Sequence, residues 1–321
     1  MQLRLRTEIE RVPLRRPLGC REGILLLGSC FTDHIGQWLQ ESWLPVCCNP
    51  WGVLFNPASI AMNLCRVMAA CSDVQGVRDS RVPLHELNGR YYSFAHHGRW
   101  SDTDADRLQQ TLQRLESAVC AHWQQTRHVL VTWGTSWVYE REGRVVANCH
   151  KFPASDFERR RLTVQEIVEA WAPIIEQTDK HYVLTVSPIR HVKDTLHGNQ
   201  LSKSVLLLAI DELMSRYPDQ VEYLPVYELL MDDLRDYRFY ADDLVHPSAM
   251  AIQAVRELVT ECAFGDETRS FMAQAAPLVK ALQHRPTDPD SAQYQQFRTD
   301  TLQRKDALLA KYQVPEVVFG L

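Results

Sequence analysis

No stretch of this chain approaches the roughly 18 consecutive apolar residues that a membrane-spanning helix requires, the most apolar run being the short Gly-Ile-Leu-Leu-Leu-Gly at 23–28. The N-terminus, MQLRLRTEIERVPLRRPLGCREG, lacks the apolar core and small-residue cleavage site of a secretory signal and carries charges at close intervals. A cytoplasmic protein with no membrane partner is therefore expected. An excess of one charge is also missing: 35 Lys and Arg face 40 Asp and Glu, scattered throughout, for a net charge of -5. Phosphate-backbone binding needs a concentrated basic face, so nucleic acid is excluded as the expected partner. The nine cysteines include no CxxC pair, and a chain of 321 residues folds without disulfide staples, which predicts reduced thiols. Cys47-Cys48 reads as packing rather than half a metal site, and no metal is assigned. There is no internal repeat and no low-complexity tract.

What is present is a 45% hydrophobic composition, enough for a substantial core. Its pattern alternates short apolar runs with longer stretches of helical period, the signature of a parallel sheet covered on both faces. The expectation is a three-layer α/β/α domain. Strands are predicted at Ile24–Leu27, His128–Thr132, Tyr182–Val186 and Val221–Pro225, all four central. Helices are predicted at Thr32–Glu41, Pro57–Ala70, Asp104–Gln124, Thr163–Gln177, Leu201–Tyr217 and Pro247–Cys262. Thr163 and Glu166 have capping-box spacing, Asp104-Ala105-Asp106 puts acid at a helix start, and Pro247 suits a first helical turn. The aromatic segment 84–101 contains Asn88-Gly89 and reads as a hairpin outside the main sheet. After Gly265 two polar helical patterns, Thr268–Gln283 and Ser291–Gln313, are joined by RPTDPD, a helical C-terminal appendage suited to packing across the domain or against a second copy in a homodimer. The division is a 1–23 arm, a 24–265 main domain and a 266–321 extension.

The chemistry starts at LLLGSCFTDHIGQWL, where an apolar strand runs into Gly28-Ser29-Cys30 and on into an amphipathic helix. Two readings compete for Ser29. It is a helix N-cap, the commonest role of a serine there, or a nucleophile placed beyond the carboxyl end of a strand, where open α/β sheets bind ligands. A helix N-terminus at that point also offers N–H groups and partial positive charge to an oxyanion. A serine hydroxyl needs a base to become a useful nucleophile. Asp243 and His246 in YADDLVHPSAM supply one: at i and i+3 in a turn, the carboxylate can hold Nδ1–H and leave Nε2 to take a proton from Ser29. The alternative there is a solvated polar loop ahead of a helix. Cys30 is a competing nucleophile, since a helix N-terminus can lower a thiol's pKa.

The ordered stretches GSCFTDHIG (28–36), NPWGVLFNPASI (49–60), TWGTSWVY (132–139), ANCHKFP (147–153), TVSPIRHVKD (185–194) with NQLSKS (199–204), and LRDYRFYADDLVHPS (234–248) resemble the GSCFA family, itself similar to SGNH (GDSL-like) hydrolases. The resemblance spans about residues 24–262. It implies an SGNH hydrolase-like, flavodoxin-like fold with Ser29 as nucleophile, Asp243 as orienter and His246 as base. It also implies oxyanion donors from a glycine in a second block and an asparagine in a third. Gly52 is the candidate glycine. The third block departs from the pattern, with Gly134-Thr135-Ser136 and no asparagine, so Asn56, Ser136 and Asn148 stand as alternative donors.

Arg190, His191 and Lys193 follow a core strand and are candidates to hold an anionic or hydroxylated substrate, the alternative being an Arg190 paired with Asp194 or Asp236 for structure alone. His150 and Lys151 are further candidates for the same crevice. The function expected is that of a serine esterase or acyltransferase on small-molecule or carbohydrate acyl esters, with no cofactor. The competing class is a carbohydrate or anionic-metabolite binding protein that keeps the fold without efficient catalysis.

Overall fold

The computed structural model describes residues 6–72 and 81–315. Its centre is a five-stranded parallel sheet of β1 (Gly23–Gly28), β2 (Val46–Cys48), β3 (Thr126–Trp133), β4 (His181–Val186) and β5 (Val221–Tyr223). The strand order is β2-β1-β3-β4-β5, the order of flavodoxin-like sheets, so the chain reverses direction across the sheet between β1 and β3. The paired registers run from Ile24 opposite His128 to Gly28 opposite Thr132.

Successive residues of each strand feed opposite faces, as a pleated strand must. Leu25, Leu27, Val129 and Val131 pack on one side with α2 (Pro57–Ser72), α3 (Ala105–Gln125), α4 (Val164–Glu176) and α5 (Thr195–Arg216). Ile24, Leu26 and Leu130 pack on the other with α1 (Cys30–Glu41), α6 (Ala249–Ala263), α7 (Asp266–Gln283) and α8 (Ala292–Tyr312). This is the expected three-layer α/β/α arrangement, with both faces buried and the strands correspondingly apolar throughout. The C-terminal helices lie across the α1 face through Phe271, Ala275, Leu308 and Tyr312. The N-terminal segment joins them: Leu14 and Leu18 donate backbone N–H to the carbonyls of Cys262 and Ala263.

Local signals account for most boundaries. Thr163 and Glu166 form the capping box, Asp104 caps α3 through the Arg107 N–H, and Asn88 and Gly89 take left-handed backbone conformations in the hairpin between His85–Leu87 and Arg90–Tyr92. Several expectations are corrected. The strand expected at Val221–Pro225 is an edge strand, as is β2, whose three residues are too few to show a pattern. Ser248 rather than Pro247 starts α6, its hydroxyl accepting from the Ala251 N–H. A second insertion forms an antiparallel sheet of Trp137–Arg141, Arg144–Val146 and Glu158–Arg161. Cys71 of α2 and Cys120 of α3 are bonded to each other, against the expectation of reduced thiols; the packing of α2 on α3 brings their Cα atoms to 5.6 Å. No helix among the described residues is long and apolar enough to cross a membrane.

Gly28 closes β1 with φ of +146°. A Cβ there would press on the Thr132 carbonyl oxygen and the Thr32 hydroxyl, the first of which cannot yield without moving β3. Gly28→Ala is expected to cost on the order of 2 kcal/mol or more, by backbone strain and overlap together. Urea denaturation of the variant against the parent measures it; a cost below about 0.5 kcal/mol would show that the turn relaxes freely.

Candidate active site

Ser29 is the residue between the last position of β1 and the first of α1, at the sheet edge where β1 and β3 diverge. It is buried and occupies the N-cap, yet its side chain caps nothing in α1. The hydroxyl instead donates to the Ser187 Oγ, 3.3 Å away, just beyond the end of β4. A capping serine turns its oxygen back to the first helical turn, whereas this one makes its side-chain hydrogen bond to the loop after β4. The first turn of α1 directs its N–H groups to the same edge.

The turn is held by Asn49, a buried residue in left-handed conformation within the recognised stretch 49–60, whose role no local pattern shows. Its Oδ1 accepts the Gly28 N–H at 2.8 Å, and its Nδ2 donates to Asp33 Oδ1 at 2.6 Å. One side chain thereby joins the end of β1 to the first turn of α1. Arg99 in turn donates to the Asn49 and Pro50 carbonyls at 2.6 and 3.1 Å.

Asp243 and His246 are brought together as their spacing predicted. Asp243 Oδ2 lies 2.5 Å from His246 Nδ1, while its Oδ1 accepts the backbone N–H groups of Val245 and His246, each at 2.9 Å. Those bonds hold the Asp243 carboxyl down at about 2, the backbone N–H of His246 contributing most. The carboxylate so fixed orients the ring and leaves Nε2 outward. Both side chains are about half exposed, and Leu244 between them has φ of +57°. Ser29 and His246 are not hydrogen-bonded to one another. They are linked through the loop after β4: Ser187 meets Ser29, and Arg190 of the same loop donates to the Leu244 carbonyl and stacks on Tyr240, 4.3 Å from its centroid.

The candidate oxyanion donors fare differently. The Gly52 N–H is engaged by the Asn49 carbonyl at 2.8 Å, and the glycine itself is required because its φ of +86° and the side chain of His97 leave no room for a Cβ. Ser136 is fully buried and bonded through both N–H and Oγ to Ser202, at 2.8 and 3.1 Å, and makes no hydrogen bond to Ser29. The Gly134 and Thr135 N–H groups both go to the Phe55 carbonyl. Asn148 Oδ1 closes a turn on the His150 N–H at 2.8 Å, within the insertion. Asn56 caps α2 through Oδ1 to the Ser59 N–H at 2.8 Å, and its Nδ2 donates to none of the described residues.

Among the substrate candidates, Arg190 pairs with neither Asp194 nor Asp236; its partners are the Leu244 carbonyl and two tyrosine rings. Asp194 is held by Arg159 instead. His191 is drawn under Gly134, and burial, then the nearby Lys203, depresses its pKa to about 4, so it is a neutral ring. Lys193 and Lys151 are exposed. His150 is buried, its Nε2 2.8 Å from the Ser93 carbonyl and its ring stacked on Tyr92, so it braces the insertion rather than meeting Ser29. The Cys30 thiol is pushed up by burial and then by Asp33, the reverse of the helix-terminus expectation, which leaves it a poor nucleophile. Among the described residues no group of three or more His, Cys, Asp or Glu is placed to hold a metal ion.

Lys203 of α5 was not anticipated. It is 1% exposed, with Nζ donating to the Gly134 and Ser187 carbonyls, both at 2.6 Å, which fastens the ends of β3 and β4. Hydrogen bonds to a charged group contribute about 1.5–3 kcal/mol each, against several kcal/mol for desolvating an ammonium, so the two carbonyls only partly offset burial. Its pKa is accordingly pushed down to about 7 from 10.5. Between those values the unfolded chain binds the proton and the native chain does not, so stability rises with pH across that window, by at most about 1.4 kcal/mol per pH unit, and loses that contribution as pH falls toward 7. Lys203→Met is expected to abolish this part of the pH dependence. Denaturation midpoints of parent and variant from pH 7 to 10 test it, and parallel curves would contradict it.

The GSCFA family model matches residues 23–258, and the model described as GSCFA domain protein, C-terminal domain, matches residues 275–317. No curated protein and no solved structure matches the chain.

Proposed function

The chain belongs to the GSCFA family, and from that premise we propose that it is a serine esterase or acyltransferase working through an acyl-serine intermediate on Ser29. The observation that carries this reading is the Ser29 hydroxyl: buried at the strand-order reversal, on a helix N-terminus, and declining to cap that helix. The Asp243–His246 pair on the same loop-lined edge is the base and its orienter.

In the proposed reaction His246 Nε2 takes the Ser29 proton as Oγ attacks the ester carbonyl, and the tetrahedral intermediate collapses with His246 protonating the departing alcohol. Water, or an acceptor hydroxyl in the transfer reaction, then gives its proton to His246 and attacks the acyl-serine. Oγ leaves and regains a proton from His246, which restores the resting state. The step from the resting arrangement requires the Ser29 hydroxyl to exchange its Ser187 contact for His246, with rotation of the serine side chain and movement of the exposed 243–246 loop. O-acylated carbohydrate is the proposed substrate class, with Arg190 and the exposed Lys193 as candidate contacts.

A second reading, a carbohydrate or anionic-metabolite binding protein, is favoured by one observation, the absence of a hydrogen bond between Ser29 and His246. Intact-mass analysis after fluorophosphonate treatment, with acetyl, butyryl and octanoyl chromogenic esters assayed in parallel, separates the two. The esterase reading predicts one adduct at Ser29 and at least about 10³-fold lower kcat in Ser29→Ala and in His246→Ala. No adduct and no turnover by folded protein would favour the binding reading.

A further inference from the structure

We infer that Ser187 supplies the side-chain oxyanion donor of this site, in the place that the third block leaves without an asparagine. The inference rests on the serine-nucleophile reading above and extends it to a residue outside the Ser-Asp-His set.

Ser187 is fully buried, and its backbone is fixed on both sides. Its N–H continues the β4 ladder onto the Trp133 carbonyl at 2.8 Å, and its carbonyl receives Lys203 Nζ at 2.6 Å. Its hydroxyl oxygen accepts twice, from Ser29 Oγ at 3.3 Å and from the Ile189 N–H at 3.4 Å. A hydroxyl has two acceptor positions and one hydrogen. Both acceptor positions are occupied, so the hydrogen is what remains, and it goes to none of the described residues. A buried O–H in that condition is an uncommitted donor within hydrogen-bonding distance of the nucleophile.

The other candidates are less well placed. Backbone donors of Gly52, Gly134, Thr135 and Ser136 are all engaged by other acceptors, and Asn56, whose Nδ2 is uncommitted, makes no hydrogen bond to Ser29. Ser187 is the candidate hydrogen-bonded to the Ser29 hydroxyl.

The pairing also has the differential character that catalysis requires. In the resting state Ser187 accepts from Ser29. Once the Ser29 proton moves to His246 and Oγ bonds to carbon, that acceptance ends, and the Ser187 O–H donates to the carbonyl oxygen as it becomes an oxyanion. A tetrahedral oxyanion sits roughly 2.3 Å from the attacking oxygen, so a donor starting 3.3 Å from Ser29 Oγ can reach the 2.7–3.1 Å of an effective oxyanion contact. No covalent bond to Ser187 forms or breaks. Its Lys203-held carbonyl keeps it from following the loop.

The test is ester kinetics and fluorophosphonate labelling of Ser187→Ala and Ser187→Cys beside the parent, with circular dichroism and urea midpoints confirming the fold. Loss of one oxyanion donor lowers kcat by about 10²–10³-fold. That loss is expected in Ser187→Ala with KM changed less than about threefold, a parallel fall in the Ser29 labelling rate, and an unchanged pH profile. Ser187→Cys, a weak donor of similar shape, is expected between the two. A merely structural role would move stability or KM and leave the two variants alike. Parent protein labelled at Ser29 with Ser187→Ala at full kcat would overturn this assignment alone, whereas parent protein with no Ser29 adduct would overturn the serine-nucleophile reading and this with it.

Discussion

The site depends on one buried amide. The N–H of Gly28 falls at the point where β1 ends and α1 begins, and Asn49 accepts it while donating to Asp33 in the first turn of the helix. Without that bridge the strand-to-helix turn has a buried unpaired donor, at a cost of about 1–3 kcal/mol, in a turn otherwise held by the Leu54 N–H on the Gly28 carbonyl and the Thr32 N–H on the Ser29 carbonyl. The rest follows from it. Gly28 is excluded from carrying a side chain, α1 starts immediately, and the serine next to Gly28 is projected beyond the strand ends at the β1/β3 divergence, where ligands of such sheets bind.

Around that turn the fold gathers loops and fastens them to the carboxyl edge with basic side chains. Lys203 holds the ends of β3 and β4, Arg99 holds the segment after β2, and Arg190 ties the loop after β4 to the Asp243–His246 turn. All three bind main-chain carbonyls rather than carboxylates. Such contacts position backbone, which is what a site assembled from separate loops needs. The Asp243–His246 pair is about half exposed and sits in a turn containing a left-handed leucine.

Much of this was legible in the sequence where periodicity speaks. The long central strands, the helices, the capping box at Thr163 and the Asn88-Gly89 turn follow from local chemistry. So did the Asp243–His246 contact, because i and i+3 in a turn leave little choice. β2 was not legible, since Val46-Cys47-Cys48 is too short to show alternation, and nothing in the apolar Val221–Pro225 run marks β5 as the opposite edge of the sheet. Asn49 and Lys203 lie inside recognised stretches, at 49–60 and 199–204, but their roles do not show there: their partners are 16 to 69 positions away in the chain, and neither hydrogen bonding to a distant group nor a left-handed backbone leaves a mark in the local pattern. Ser187 lay inside a recognised stretch, but only tertiary contact with Ser29 singles it out. Conversely Ser136, His150 and Asn148 looked promising by residue type alone, and the structure employs each in bracing the insertions or the helix beneath them.

The most direct test of the account is a crystal structure of the protein after covalent phosphonylation. The account predicts phosphorus on Ser29 Oγ, with the 243–246 turn drawn inward so that His246 Nε2 lies within hydrogen-bonding reach of the modified serine and Asp243 still holds Nδ1. Phosphorus on another residue, or an adduct on Ser29 with the Asp243–His246 pair still apart from it, would contradict the claim that these three residues form one catalytic unit.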